Sequence, residues 1–351
     1  MTAVFVTGGA GFIGGAVLEA YQDRGEDVRA LVPTPADEAA VVGRGAIPFR
    51  GDLSDQAAVE AGMSGAEVVV HCVGAAGSRG LNGPAATRGQ AGARGPARAG
   101  RAEVEAARVV LAAARASGAT RLVFVADSPL LLGDRPLVDA DESWSYPQRP
   151  ASASLGGRIE AERLVLDGAT RQLATMSVRP GLVWGEGDTT LLPSLAALVD
   201  ARRFRWVHGG SHSISTTQVR NVAEGVLAAA ERGRGGEAYF VTDGAPTVFR
   251  DFVTALLATQ GIPAPTASMS YPLARASAVV SRRTRAFRQR TTASPDLLVF
   301  RVGVETCTVQ DAKARRELGY EGRVSHAEGL AELRSGRSPA GTSPVDPGGS
   351  R

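Results

Sequence analysis

Val4-Phe5-Val6-Thr7-Gly8-Gly9-Ala10-Gly11-Phe12-Ile13-Gly14 is an apolar run that breaks into glycines and resumes with helical spacing, so it reads as strand, tight loop and helix. In the spacing of Gly8, Gly11 and Gly14, the first glycine permits the turn. The second lets backbone approach a pyrophosphate, and the third brings helix close to strand. The pyrophosphate then meets a helix N-terminus, where N–H groups and the dipole favour an anion. A glycine-rich turn without a ligand is the bland alternative, and the flanks weigh against it. Ala16, Val17, Ala20 and Tyr21 share one helical face, and Val28 to Val32 is a second apolar run after Gly25, which completes a βαβ unit.

Outward from this unit the alternation continues. Gly45 to Phe49, Ala66 to Cys72, Arg121 to Ala126 and Met176 to Val178 read as strands, and their nearly all-apolar runs suit a parallel sheet buried on both faces. Gln56 to Gly62, the stretch from Glu103 closed by Gly118, and Gly156 to Leu166 read as helices between them. After Trp184-Gly185-Glu186-Gly187-Asp188 the pattern is mixed, with helices at Leu191 to Ala201, Val219 to Glu231 and Phe249 to Gln260 and a strand at Ala238 to Thr242. The expected fold is α/β: a Rossmann-type doubly wound parallel sheet over residues 1–180 and a smaller, discontinuous α/β domain for substrate over 181–334.

Residues 77–101 interrupt this order with glycine, alanine, five arginines and a single leucine. Such a composition cannot offset its ordering entropy, so a solvated flexible insertion is expected, with a lid over substrate as the functional alternative. Arg275 to Arg290 carries six arginines among alanines and valines and reads as a helix with one solvated face. Residues 335–351 read as a disordered tail.

With 351 residues the chain can bury a large core. A hydrophobic fraction of 44%, a charged fraction of 21% and a mean hydropathy of -0.04 are those of a soluble globular protein, with no apolar run of ~18 residues to span a bilayer. The start enters the first strand at once, which leaves no room for a signal peptide. Cys72 and Cys307, far apart, read as free thiols. A cytoplasmic protein is expected. The net charge of +3 comes from spread basic residues without interleaved aromatics, against nucleic-acid binding. Of the 39 lysines and arginines only Lys313 is lysine.

The glycine loop, Gly51-Asp52-Leu53, Arg179-Pro180 before the Trp184 to Asp188 run, Gly236 to Asp243, and Ala314 to Tyr320 together resemble the extended short-chain dehydrogenases/reductases, in particular their 3β-hydroxysteroid dehydrogenase-like branch. The resemblance spans residues 3 to 333. It implies hydride transfer with NAD(P), with Thr7, Gly8, Gly11, Phe12, Ile13 and Gly14 at the phosphates. Asp52 and Leu53 would border the adenine, Val73 and Gly74 the ribose, and Pro180 with Leu182 the nicotinamide.

The family's chemistry resides in a Tyr-x-x-x-Lys pair on the helix after the fifth strand and a serine or threonine just after that strand. Aligned through Ala161 to Leu166, that helix places Ser154 at the tyrosine and Arg158 at the lysine. No tyrosine of the chain has a lysine four residues on. Ser128 retains the serine, and Glu103 stands where the family carries an asparagine. Ser128 and Ser154 are then candidates to hold a carbonyl or a water, and Arg158 to bind the ribose hydroxyls. The missing pair also resembles the atypical ketoreductases of angucyclinone (aromatic-polyketide) antibiotic pathways, whose substrates carry phenols beside ketones.

At the end of the second strand, Val32-Pro33-Thr34-Pro35 has no acid for a ribose 2′-hydroxyl, and Asp37 and Glu38 come late. Pro33 and Thr34 therefore tolerate NADPH, which is expected to serve at least as well as NADH. The reading is an NAD(P)H-dependent ketoreductase for a polycyclic ketone, with no metal ligand set assigned and no nucleic-acid or membrane partner. A nucleotide-binding sensor without catalysis, or a sugar or steroid dehydrogenase or epimerase, is the alternative.

Overall fold

The computed structural model describes residues 2–72, 96–133, 135–273 and 302–336. Among these, seven strands form one parallel sheet: β1 (Ala3–Thr7), β2 (Asp27–Val32), β3 (Ile47–Arg50), β4 (Val68–Cys72), β5 (Arg121–Val125), β6 (Ala174–Pro180) and β7 (Glu237–Val241). Their spatial order is β7-β6-β5-β4-β1-β2-β3. The chain runs outward from β1 to β3, then crosses back to β4 on the other side of β1. That reversal opens a crevice beyond the carboxyl ends of β1 and β4, where ligands of doubly wound sheets bind.

The helices are α1 (Phe12–Gln22), α2 (Pro35–Val42), α3 (Gln56–Met63), α4 (Pro96–Ala116), α5 (Ala153–Asp167), α6 (Leu191–Asp200), α7 (Val219–Arg232), α8 (Phe249–Thr259), α9 (Ala312–Leu318) and α10 (His326–Ser335). Alternate strand residues go to opposite faces. Val4, Val6, Val28 and Val70 pack with Val17 and Leu18 of α1 and Val222 and Val226 of α7. Phe5, Leu31, Val69 and Leu122 pack with Met63 of α3, Val110 of α4 and Ile159 of α5. A third cluster joins Leu132, Trp184, Leu191, Trp206, Phe249 and Phe252. Around it lies a small sheet of Thr247–Val248, Ser213–Ile214, Cys307–Val309 and Leu137–Ala140.

Three expectations change. Residues 96–101, read as the end of a flexible insertion, are the first turns of α4, which starts with Pro96 rather than at Glu103. Proline is preset for a helix start. Gly100, costly in a helix in isolation, is here a contact point: a Cβ on it would lie 2.4 Å from the Ala153 carbonyl oxygen of α5. Residues 219–241, grouped by pattern with the later part of the chain, join the principal sheet as β7 and its helix α7. Likewise Ser335 closes α10 instead of opening the tail. The readings for residues 77–95, for Arg275 to Arg290 and for 337–351 lie outside the described residues.

Both cysteines are buried and unbridged. Among the described residues no helix is long and apolar enough to cross a membrane.

Candidate functional site

The glycine loop folds as its spacing requires. Gly8 has φ of +75°, a left-handed conformation open to glycine, and the Gly11 N–H donates to the Gly8 carbonyl at 3.0 Å to close the turn. Gly11 is the N-cap of α1, in extended conformation and exposed. A Cβ on Gly14 would lie 2.1 Å from the Gly8 carbonyl oxygen, and one on Gly8 would lie 2.6 Å from the Cys72 carbonyl oxygen. Loop, helix and β4 thus meet by backbone, leaving the N-terminus of α1 facing the crevice. Phe12 and Ile13 are half-buried there.

Beneath the loop, Thr7 Oγ1 and His71 Nδ1 are 2.5 Å apart. Burial pushes the His71 imidazole down to about 4. The unfolded chain therefore takes up a proton near pH 6.5 that the native state refuses until about pH 4, so stability falls as pH drops through that window. The expected loss is about 3 kcal/mol, and in His71→Asn the urea midpoint should depend less on pH between 6.5 and 4. Equal slopes in the two proteins would contradict this assignment.

From the loop a cleft of about 190 Å³ runs to the ends of β5 and β6, lined by Ile13, Cys72, Asp127, Pro129, Arg158 and Leu182 among others. Asp127 follows β5, and its carboxylate accepts from Nη2 of Arg158 on α5 in an ion pair. Ser152 caps α5, its hydroxyl accepting from the Leu155 N–H at 3.1 Å. Further along, Glu162 is fully buried and binds Arg179 of β6 at 2.7 Å. The Tyr146 and Ser177 hydroxyls both donate to the Glu162 carboxylate, at 2.8 and 2.6 Å. Burial alone would lower the Arg179 guanidinium, but the Glu162 carboxylate outweighs it and holds it above its usual range. Burial and then Glu162 raise the Tyr146 phenol.

Of the three residues assigned to chemistry, Arg158 alone lines the cleft among the described residues. Ser128 is buried at the start of a 3₁₀ turn, and Ser154 is half-exposed on the first turn of α5. Lys313 is elsewhere, donating to Glu237 at 2.6 Å and to the Ala238 carbonyl at 2.9 Å, beside the start of β7. That is the opposite end of the parallel strands from the cleft. Asp52 is exposed and accepts from Ser54, and Leu53 and Leu182 are half-buried. Pro180 is buried at the end of β6, and Pro33 and Thr34 lie at the open end of β2. Val73 and Gly74 lie outside the described residues.

The Trp184 to Asp188 motif is structural. Asp188 accepts from the N–H groups of Leu191 at 3.0 Å and Leu192 at 2.8 Å, capping α6. Trp184 Nε1 donates to Asp243 at 2.8 Å. Asp243, where burial alone would raise the carboxyl, is held below its usual range by His326, Gln218, Trp184 and Asn221.

Sequence reasoning missed Asp127. Its signal was a carboxylate directly after the fifth strand, next to the serine that the family pattern singles out.

Residues 5–273 match the model of the 3-beta hydroxysteroid dehydrogenase/isomerase family. The chain is 41% identical to a 4-hydroxy-2-methyl-3-oxo-4-farnesyl-3,4-dihydroquinoline-1-oxide ketoreductase of Stigmatella aurantiaca, over 96% of this chain and 97% of that one. It is 33% identical to a 2-alkyl-3-oxoalkanoate reductase of Stenotrophomonas maltophilia, over 95% and 98%. A dTDP-glucose 4,6-dehydratase from Streptomyces venezuelae, solved with NAD bound, shares the fold with a TM-score of 0.69 at 20% identity, over 95% of each chain.

Proposed function

Because the chain belongs to the 3-beta hydroxysteroid dehydrogenase/isomerase family, we propose that it is an NAD(P)H-dependent ketoreductase for a bulky aromatic ketone, angucyclinone-like in its fused rings, in an antibiotic pathway. The observation that carries this reading is the near full-length likeness to a ketoreductase named for a farnesylated quinoline oxide. The cradle at Gly8, Gly11 and Gly14, where any side chain would meet backbone, supports a pyrophosphate at the end of α1. Bound there, the reduced nicotinamide supplies the hydride. In this reading Thr7, Phe12 and Ile13 flank the phosphates, Asp52 and Leu53 the adenine, and Val73 and Gly74 the ribose. Pro180 and Leu182 wall the nicotinamide. Residues 1–180 chiefly hold nucleotide and 181–334 chiefly substrate.

The proton comes from outside a tyrosine–lysine pair, since α5 offers Ser154 and Arg158 and Lys313 is engaged at the far end of the sheet. A positioned general acid contributes roughly 10²–10⁴-fold, or ~3–5 kcal/mol. Positioning of the reactants contributes ~7–11 kcal/mol, so reduction survives with water, or a phenol beside the ketone, as donor. Ser128→Ala and Ser154→Ala are each expected to cost less than about tenfold, ~1.4 kcal/mol. The experiment is NADPH consumption with aromatic ketones that do or do not carry an adjacent phenol. Tight NADPH binding without turnover of any of them would favour the sensor reading. A loss of three or more orders of magnitude in Ser154→Ala, about 4 kcal/mol, would make serine the proton donor.

NADPH should serve at least as well as NADH. The Thr34 hydroxyl donates to the Asp37 carboxylate at 2.5 Å, turning that acid toward its own helix cap. Arg50, in register with Val32, closes β3 and pairs with Glu38 at 3.1 Å on the surface, a cation at hand for a 2′-phosphate. Arg50→Ala is expected to weaken NADPH about fivefold, the scale of one exposed charge pair, and to leave NADH unchanged. Calorimetry with both nucleotides checks it, and equal losses would refute it.

A further inference from the structure

Two side chains 31 residues apart in sequence meet in the wall of the cleft that Ile13 and Leu182 also line. The Asp127 carboxylate and the Arg158 guanidinium pair in the wall of the cleft, with side chains 22% and 21% exposed. Arg158 is held on both sides. Its neighbour Gly157 presses on α4 so closely that a Cβ there would lie 2.3 Å from the Gly100 Cα. One turn on, Glu162 is tied to Arg179 of β6. Helix α5 therefore has no freedom to slide, and the guanidinium is preorganised toward the cleft.

We propose that Arg158 is the electrophile of the reaction: oriented by Asp127, it hydrogen-bonds the ketone oxygen and holds the alkoxide formed as the carbonyl carbon accepts hydride. This rests on the ketoreductase reading above. Arginine has five N–H donors in a planar fork and keeps its charge, and with a fifth of its side chain exposed in the cleft wall Arg158 can meet an oxygen there while it is paired with Asp127. As hydride forms the new C–H bond, the carbonyl π pair moves onto oxygen. Water or an adjacent phenol O–H then protonates that oxygen, and the hydroxide or phenolate left behind is neutralised by solvent. Arg158 binds the charge and gives up no proton. Asp127 acts through Arg158 and is a positioning residue.

Removing one donor to a developing oxyanion typically costs ≈ 10²–10³ in turnover. Arg158→Met should slow ketone reduction by about that factor. It should leave NADPH affinity within about threefold by calorimetry, below the tenfold step of 1.4 kcal/mol. With NADP⁺ bound it should weaken 2-naphthoate, a stable anion of similar bulk, by about tenfold or more. Arg158→Lys, which keeps the charge and folds more safely, should recover part of both effects. Asp127→Asn should cost less, and its cost should vanish in the Arg158→Met background, because the two act as one unit.

Additive losses, or an NADPH affinity that falls as far as turnover does, would overturn the proposal and make Arg158 a ribose ligand. So would equal naphthoate binding by the parent protein and Arg158→Met. If the parent protein reduces no ketone yet binds naphthoate through Arg158, the ketoreductase reading falls and the anion-binding role stands.

Discussion

Gly11→Val is expected to weaken NADPH by at least about a hundredfold, ~2.7 kcal/mol, while the thermal midpoint hardly moves. Gly11 is exposed, in extended conformation, and among the described residues a Cβ on it would meet only the Gly8 carbonyl oxygen, at 3.2 Å. Valine accepts that backbone geometry and needs a shift of a few tenths of an ångström from the loop. Its methyl groups then occupy the space over the end of α1 where the pyrophosphate must approach. Gly14→Ala makes the contrast. Its Cβ would lie 2.1 Å from the Gly8 carbonyl oxygen and 2.7 Å from the carbonyl carbon, so the turn itself must open. That variant should lose stability and binding together. Calorimetry beside thermal melts separates the two cases, and unchanged NADPH affinity in Gly11→Val would remove the loop from the binding site.

Arg179→Met is expected to be the most destabilising single change, by about 3–5 kcal/mol, because it strands a buried carboxylate. Glu162 is fully buried, with Arg179 on one side and the hydroxyls of Tyr146 and Ser177 on the others. Taking both ions away removes the stranded charge, so Glu162→Met with Arg179→Met should cost less than Arg179→Met alone. Urea unfolding of the three proteins measures this. A double variant as unstable as the sum of the singles would mean that the ions do not act as a pair. The network also ties α5 to β6, so Arg179→Met should slow turnover more than it weakens nucleotide, since Arg158 rides on that helix.

Local pattern determined much of this protein. The alternation of apolar strands and helices from Val4 to Val178 is legible because burial on both sheet faces leaves an apolar run, and helices against them show a 3.6-residue period. The glycine loop is legible because three constraints fall within seven residues of one another. The family and its oxidoreductase chemistry follow from motifs that are each local in sequence. The same locality exposed what α5 carries, Ser154 and Arg158 with no lysine near them.

Contacts between distant segments were decided only by the tertiary structure. Whether Gly100 breaks a helix or lets α4 touch α5 depends on Gly157, 57 residues on, and so the start of α4 at Pro96 could not be read from composition. The strand from Glu237 joins the principal sheet because β6 leaves an edge open for it, a fact of strand order that no local period encodes. Asp127 becomes part of the cleft only when β5 and α5 are set side by side, which brings its carboxylate to Arg158. Propensity and periodicity report a residue's neighbours along the chain, whereas a charge pair depends on which elements the sheet order brings together.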